Sequence, residues 1–277
     1  MPNLVARNDL SLLTCILRKN TANRVMKEVA DQCVMNPVVI SARGTLSKDK
    51  WYQAFMPAMS AEQEVVELLA PTSVSGAMMN TVVEIGRLHL PGSGAIYSMP
   101  CTRAFVPESH VLSSEEAPAL KPEITVNFKK DITGIFCIAQ KPRGAAIARA
   151  AVNAGSGGPT ISFGQGRGIR ERLGLLRIAI SPEKEMIRLV VDNCDVETVF
   201  EAMVSAGKLD TPSMGFIYII PLREGLINVP GIFGATKRSA SIQQVIKAID
   251  DLKGSTEWRA QVEVKEIAAA KKKKFLS

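Results

Sequence analysis

Histidine is almost missing from this chain, with His89 and His110 the two among 277 residues. So little imidazole leaves few groups for proton transfer near neutral pH and little for a Cys/His metal centre. No G-x-S-x-G elbow and no H-E-x-x-H helix occurs either, so no catalytic or metal residue is assigned and no enzyme activity is expected. The cysteines, Cys15, Cys33, Cys101, Cys137 and Cys194, are odd in number, form no CxxC pair, and several sit in apolar runs. They read as buried free thiols of a reducing compartment. No apolar run reaches the ~18–20 residues needed to cross a bilayer. The opening MPNLVARNDLSLLTCILRK lacks the pattern of a secretory signal, and a cytoplasmic location is expected.

What is present is an ordinary globular composition, 46% hydrophobic and 22% charged, enough for a sizeable core. Much of the net charge of +7 gathers in the run Lys271 to Lys274. It reads as a solvated basic tail, so nucleic acid is not the expected partner.

The dominant feature is internal repetition. In GRLHLPGSGAIYSMP (86–100) and GKLDTPSMGFIYIIP (207–221), Gly86, Pro91, Gly94, Ile96, Tyr97 and Pro100 match Gly207, Pro212, Gly215, Ile217, Tyr218 and Pro221 at a spacing of 121. Ser60, Glu62 and Glu64 match Ser181, Glu183 and Glu185 at the same spacing. Upstream the spacing becomes 122, pairing Cys15 with Cys137, Lys19 with Lys141, Pro37 with Pro159 and Gly44 with Gly166. The one-residue slip between 44 and 60 marks a loop. A matched pattern over ~90 residues is the signature of a duplication.

Each copy carries the same order of elements. LLTCIL (12–17), PVVIS (37–41), EVVELLA (64–70) and GAIYSM (94–99) read as strands, being apolar and rich in β-branched residues. Thr21 to Cys33 and residues 75–85 read as helices, the second closed by Gly86 in a left-handed conformation. The second copy follows with GIFCIA, a helix near 143–154, PTISF, EMIRLVV, a helix capped by Asp195 and ended by Gly207, and FIYII. The expected fold class is α+β, two ferredoxin-like βαββαβ modules with antiparallel sheets and helices on one face. The expected divisions are module 1 at 1–106, a linker at 107–131, module 2 at 132–228, and a C-terminal helix with basic tail at 229–277. That helix is marked by a capping box at Ser241–Gln244 and an apolar stripe ending at Gly254. A sheet with helices on one side leaves its other face bare, so it must pack on another sheet, within the chain or between chains.

The glycine turns fail as nucleotide fingerprints of the common kinds. In Gly164-Gln165-Gly166-Arg167-Gly168 the third motif glycine is replaced by Ile169, and around Gly207-Lys208 the P-loop positions hold Ala202 and Leu209. They fit a different use, in which glycines let backbone N–H groups approach an anion beside a basic side chain. One copy offers Arg43-Gly44 with Gly86-Arg87 and Gly94; the other offers Gly164, Gln165, Gly166 and Arg167 with Gly207, Lys208 and Gly215.

These features resemble the P-II nitrogen-regulatory signal-transduction family over roughly 12–103 and 132–224. Phe163-Gly164-Gln165-Gly166 resembles the start of that family's T-loop, and Gly86-Arg87 with Gly94, like Gly207-Lys208 with Gly215, resembles its B-loop. Arg103 and Arg223 stand where the family carries basic residues after the fourth strand. After the last turn glycine, where the family has lysine, this chain has Ala95 and Phe216. The resemblance implies a homo-oligomer, with a trimer favoured, and a small effector between modules. That effector is an adenine nucleotide (ATP, ADP or AMP), with no cofactor required. It also implies control of a protein target, such as a membrane transporter or a nitrogen-metabolism enzyme, through T-loops at 43–61 and 165–181. The rival expectation is a structural or metal-tolerance-type trimer of similar fold without nucleotide.

Overall fold

The apolar runs become strands because each finds helices on one side and strands of the other half of the chain on the other. A computed structural model describes residues 4–33, 37–45, 62–90, 92–107, 120–166 and 183–227. The first half holds β1 (Leu4–Arg7), β2 (Leu10–Arg18), α1 (Ala22–Val29), β3 (Val38–Gly44), β4 (Glu62–Pro71), α2 (Thr72–Gly86), β5 (Ala95–Cys101) and β6 (Ala104–Pro107). The second holds β7 (Ile132–Gln140), α3 (Gly144–Asn153), β8 (Thr160–Gln165), β9 (Glu183–Asp192), α4 (Val196–Gly207), β10 (Gly215–Pro221) and β11 (Glu224–Ile227). The expected C-terminal helix, the basic tail and most of both expected T-loops lie outside the described residues.

The fold is α+β and its strand pairing is antiparallel throughout the nine-stranded sheet, ordered β10-β7-β9-β8-β3-β4-β2-β5-β11. From the centre outward, β3-β4-β2-β5 and β8-β9-β7-β10 follow the same order, compatible with a ferredoxin-like arrangement. The join is β3 against β8, with Ala42 opposite Ser162 and Gly44 opposite Thr160. All described residues belong to one compact unit, Met1–Lys237.

Two helix-side cores follow from the alternation along each strand. Leu13, Cys15, Leu17, Val66, Leu68 and Ile96 pack on α1 and α2; Ile135, Cys137, Ile187 and Leu189 pack on α3 and α4. The opposite faces meet each other. Ile16, Ala42, Val65, Ala95 and Tyr97 from the first half form one cluster with Ile132, Phe136, Val190 and Leu222 from the second. The bare face anticipated from the sequence is therefore covered within the chain.

The chain crosses between the sheets over two residues. The Leu222 N–H donates to the Ile132 carbonyl, finishing the β7 ladder, and the Arg223 N–H donates to the Ser98 carbonyl, starting the β5 ladder. Within the inter-sheet layer, Arg188 meets Glu67 at 3.2 Å. These two positions match at the repeat spacing of 121 yet carry opposite charges where they face each other. Two identical halves would place like charges there. Burial, chiefly, pushes the Tyr97 hydroxyl in the same layer above the ordinary tyrosine range.

The helix ends differ from expectation by one residue. Gly86 and Gly207 are the last helical residues, and the left-handed positions are Arg87 (φ 52°, ψ 38°) and Lys208 (φ 50°, ψ 44°). Glycine precedes them because of packing: a Cβ on Gly86 would lie 3.1 Å from the Leu17 side chain, and one on Gly207 2.8 Å from Leu209. Asp195 occupies the N-cap position of α4 but its backbone is helical and it makes no capping hydrogen bond.

Replacing either Glu67 or Arg188 by Ala should destabilise the fold by about 1–3 kcal/mol, with a coupling near 1 kcal/mol in the double-mutant cycle. Glu67→Arg should be worse than Glu67→Ala, and Glu67→Arg with Arg188→Glu should recover most of the loss in chemical unfolding.

Candidate functional site

Helix N-termini are the first places to look for an anion, since their leading N–H groups lack partners within the helix. At α1 and α3, carboxylates of the chain fill them. Glu64 Oε2 accepts from the Thr21 and Ala22 N–H groups at 3.1 and 2.9 Å. Its repeat equivalent Glu185 accepts from the Gly144 N–H at 2.7 Å. Neither Thr21 nor Arg143, the N-cap residues, makes a side-chain cap of its own. The signal for these caps is present in the sequence: a glutamate recurs within an apolar strand at the repeat spacing. Beside them, Lys19 pairs with Glu62 and Lys141 with Glu183, again at equivalent positions.

The available anion-binding features are the turns after α2 and α4. In both, the helix ends in a Schellman pattern, with Leu88 N–H donating to the Val83 carbonyl and Leu209 N–H to that of Val204. Arg87 and Lys208 are exposed. A left-handed residue with a side chain costs about 1 kcal/mol relative to glycine, yet both turns hold a basic residue there. Gly94 (φ 139°) and Gly215 (φ 149°) then open the next strand. A Cβ at these positions would fall 1.9 Å from the Ile16 carbonyl oxygen and 2.2 Å from that of Ile138, so both backbones require glycine.

In the second half the predicted residues gather at one end of the sheet. Gln165 is opposite Glu183, Gly215 is opposite Ala139, and Arg143 Nη1 donates to the Gly207 carbonyl at 3.3 Å. A surface pocket of about 260 Å³ lies here, lined by Lys141, Phe163, Gly164, Gln165, Glu183 and Lys184. Gly166 follows Gln165 against the Lys184 side chain; Arg167 lies outside the described residues.

Four predicted residues are placed elsewhere. Arg43 donates to Glu185 at 3.0 Å and lies over the Phe163 ring, 5.2 Å from its centroid. It ties β3 to the carboxylate that caps α3, so Gly44 and Arg43 serve the joint between halves. Arg223 is at the far end of β10 from Gly215, with Nη1 donating to Ser11 Oγ at 3.4 Å. Arg103 likewise follows the far end of β5 from Gly94 and lies over Phe105. A seven-residue strand spans roughly 20 Å, which separates each arginine from its turn.

Cys15, Cys33 and Cys137 are buried packing groups, as expected, whereas Cys101 is half-buried and Cys194 is exposed. Burial pushes Cys33 and Cys137 up to about 12 and Cys15 further, which keeps them protonated at neutral pH. Among the described residues no cluster of three or more His, Cys, Asp or Glu side chains is arranged to hold a metal ion, and no helix is long and apolar enough to cross a membrane.

No family model and no curated protein matches the sequence. Among solved structures, the chain is similar to that of Arabidopsis thaliana PII bound to citrate, at 19% identity and a TM-score of 0.27, over 34% of this chain and 78% of that one. A likeness of that size carries no argument about ligand or activity.

Gly94→Ala and Gly215→Ala should each destabilise the fold by about 3 kcal/mol, through the positive φ and the clash with the facing carbonyl. Gly164→Ala, where a Cβ would meet nothing nearer than the Met186 Cε at 4.0 Å, should be close to neutral. Thermal unfolding of the three variants checks this.

Proposed function

We propose that the chain is a tandem P-II-like regulatory protein. In this reading its two runs are P-II-like modules, and it binds a small phosphate-bearing effector of the adenine-nucleotide class. Effector binding changes the T-loops that depart from β3 and β8, and so changes affinity for a protein target such as a transporter or a nitrogen-metabolism enzyme. Such coupling requires the effector to contact the two loop states differently.

The observation that carries this reading is the pair of exposed basic residues, Arg87 and Lys208, in left-handed backbone that glycine would fill with less strain. Strain kept at equivalent positions of both copies points to a task for the side chain. Phosphate is the chemistry that rewards a cation beside glycine-opened backbone. The second half is the stronger site. Its pocket at Gly164 and Gln165 is open beside Lys184, with Lys141 paired to Glu183 on its rim, whereas Arg43 in the first half is held by Glu185. The same engagement of Arg43 supports the rival, a structural protein without nucleotide.

Lys208→Gly separates the two. It should stabilise the fold by about 1 kcal/mol while weakening ATP, ADP or AMP binding about tenfold, the loss of one charge-assisted contact. Calorimetry with the three nucleotides reads the second effect. No heat from any of them at millimolar concentration would rule out the nucleotide reading and leave the structural one.

A further inference from the structure

The two edge-side strands β5 and β10 are equivalent in the repeat, but only one is covered among the described residues. On β5, Ala95, Ile96, Tyr97 and Ser98 are opposed by β11, with Ile227 opposite Ala95 and Glu224 opposite Ser98. Their exposures are 8, 0, 1 and 0%. The matching residues on β10 are Phe216, Ile217, Tyr218 and Ile219, of which Phe216, Tyr218 and Ile219 are 56, 40 and 40% exposed. Among the described residues β10 pairs with β7 alone. The segment equivalent to β11 is β6, and β6 is engaged by β1, from Leu4 opposite Pro107 to Arg7 opposite Ala104. The equivalent edge on β5 thus takes an antiparallel strand, and among the described residues the segment that matches β11 is already paired with β1.

We propose that the β10 edge is a docking surface for β10 of a second copy of this chain, paired antiparallel about a two-fold axis at Tyr218. This inference stands independently of the effector reading. Gly215–Pro221, GFIYIIP, carries no charge, so nothing in it repels its own copy, and it lacks the lysines that usually guard a free edge. Centred on Tyr218, the register sets Phe216 opposite Ile220 and Ile217 opposite Ile219, keeping each face of the joined sheet apolar. Phe216 and Tyr218 are already stacked at 6.1 Å, and Tyr218 stacks on Phe136 at 5.4 Å, which presents a preformed aromatic surface across the axis. A two-fold pairing is closed and isologous, and it removes the edge that an open strand would offer to further chains.

The test is the mass in solution by light scattering at 5–100 µM, with a chain mass of 29.9 kDa. The wild type should show twice that mass, and Phe216→Lys with Ile219→Lys should fall to a single chain, its dissociation constant raised at least a hundredfold. In a Cys194→Ser background, Tyr218→Cys should form a symmetric disulfide across the axis, within reach for directly opposed antiparallel residues. If the double lysine variant fails to fold by circular dichroism, the Tyr218→Cys cross-link decides alone. A wild type at one or three chain masses, a folded double lysine variant that keeps its dimer, or an absent cross-link overturns the proposal.

Discussion

A four-stranded sheet with two helices on one side has a second face that water cannot be left to cover, and the rest of this structure follows from how that face is sealed. Each half supplies the cover for the other. The seal holds an apolar cluster from both halves and one ion pair, Glu67 with Arg188. Because these positions are equivalent in the repeat, the pair is complementary only when unlike halves meet. Apolar burial drives the two faces together, and the charges select which faces. The same logic accounts for β11, which leaves the end of the second half to complete the edge of the first.

Carboxylates within each half take up two of the anion-binding features. The N–H groups at the starts of α1 and α3 are taken by Glu64 and Glu185, and the second of these carboxylates also holds Arg43. The turn after each second helix, with its basic left-handed residue, faces outward. An effector site built there would sit beside the joint without being part of it.

Much of this is legible in the sequence, for a local reason. The strands around Leu12–Leu17, Glu64–Ala70 and Phe216–Ile220 can be placed within one or two residues at each end, because β-branched runs punctuated by glycine and proline are a property of the segment itself. The turn glycines are legible too, but Gly86 and Gly207 read as conformational and prove to be helical residues where a Cβ would crowd Leu17, Leu88 or Leu209. What the pattern does not show is which strand meets which across the halves. Arg43 reads as a free cation beside a glycine and is half of a joint, because Glu185 approaches from 142 positions away. Arg103 and Arg223 follow the right strands but at the wrong ends for the turns, a matter of strand length in space.

The central claim is that the two halves join edge to edge and face to face within one chain. Ala42→Cys with Ser162→Cys tests it directly, because these residues are opposite each other where β3 meets β8, at a separation a disulfide spans. After refolding under oxidising conditions at low micromolar concentration, peptide mapping should find the two introduced thiols bonded to each other within the same chain, with the protein running at a single chain mass in denaturing gels. A bond found between chains, or none formed in a folded protein, would contradict the account.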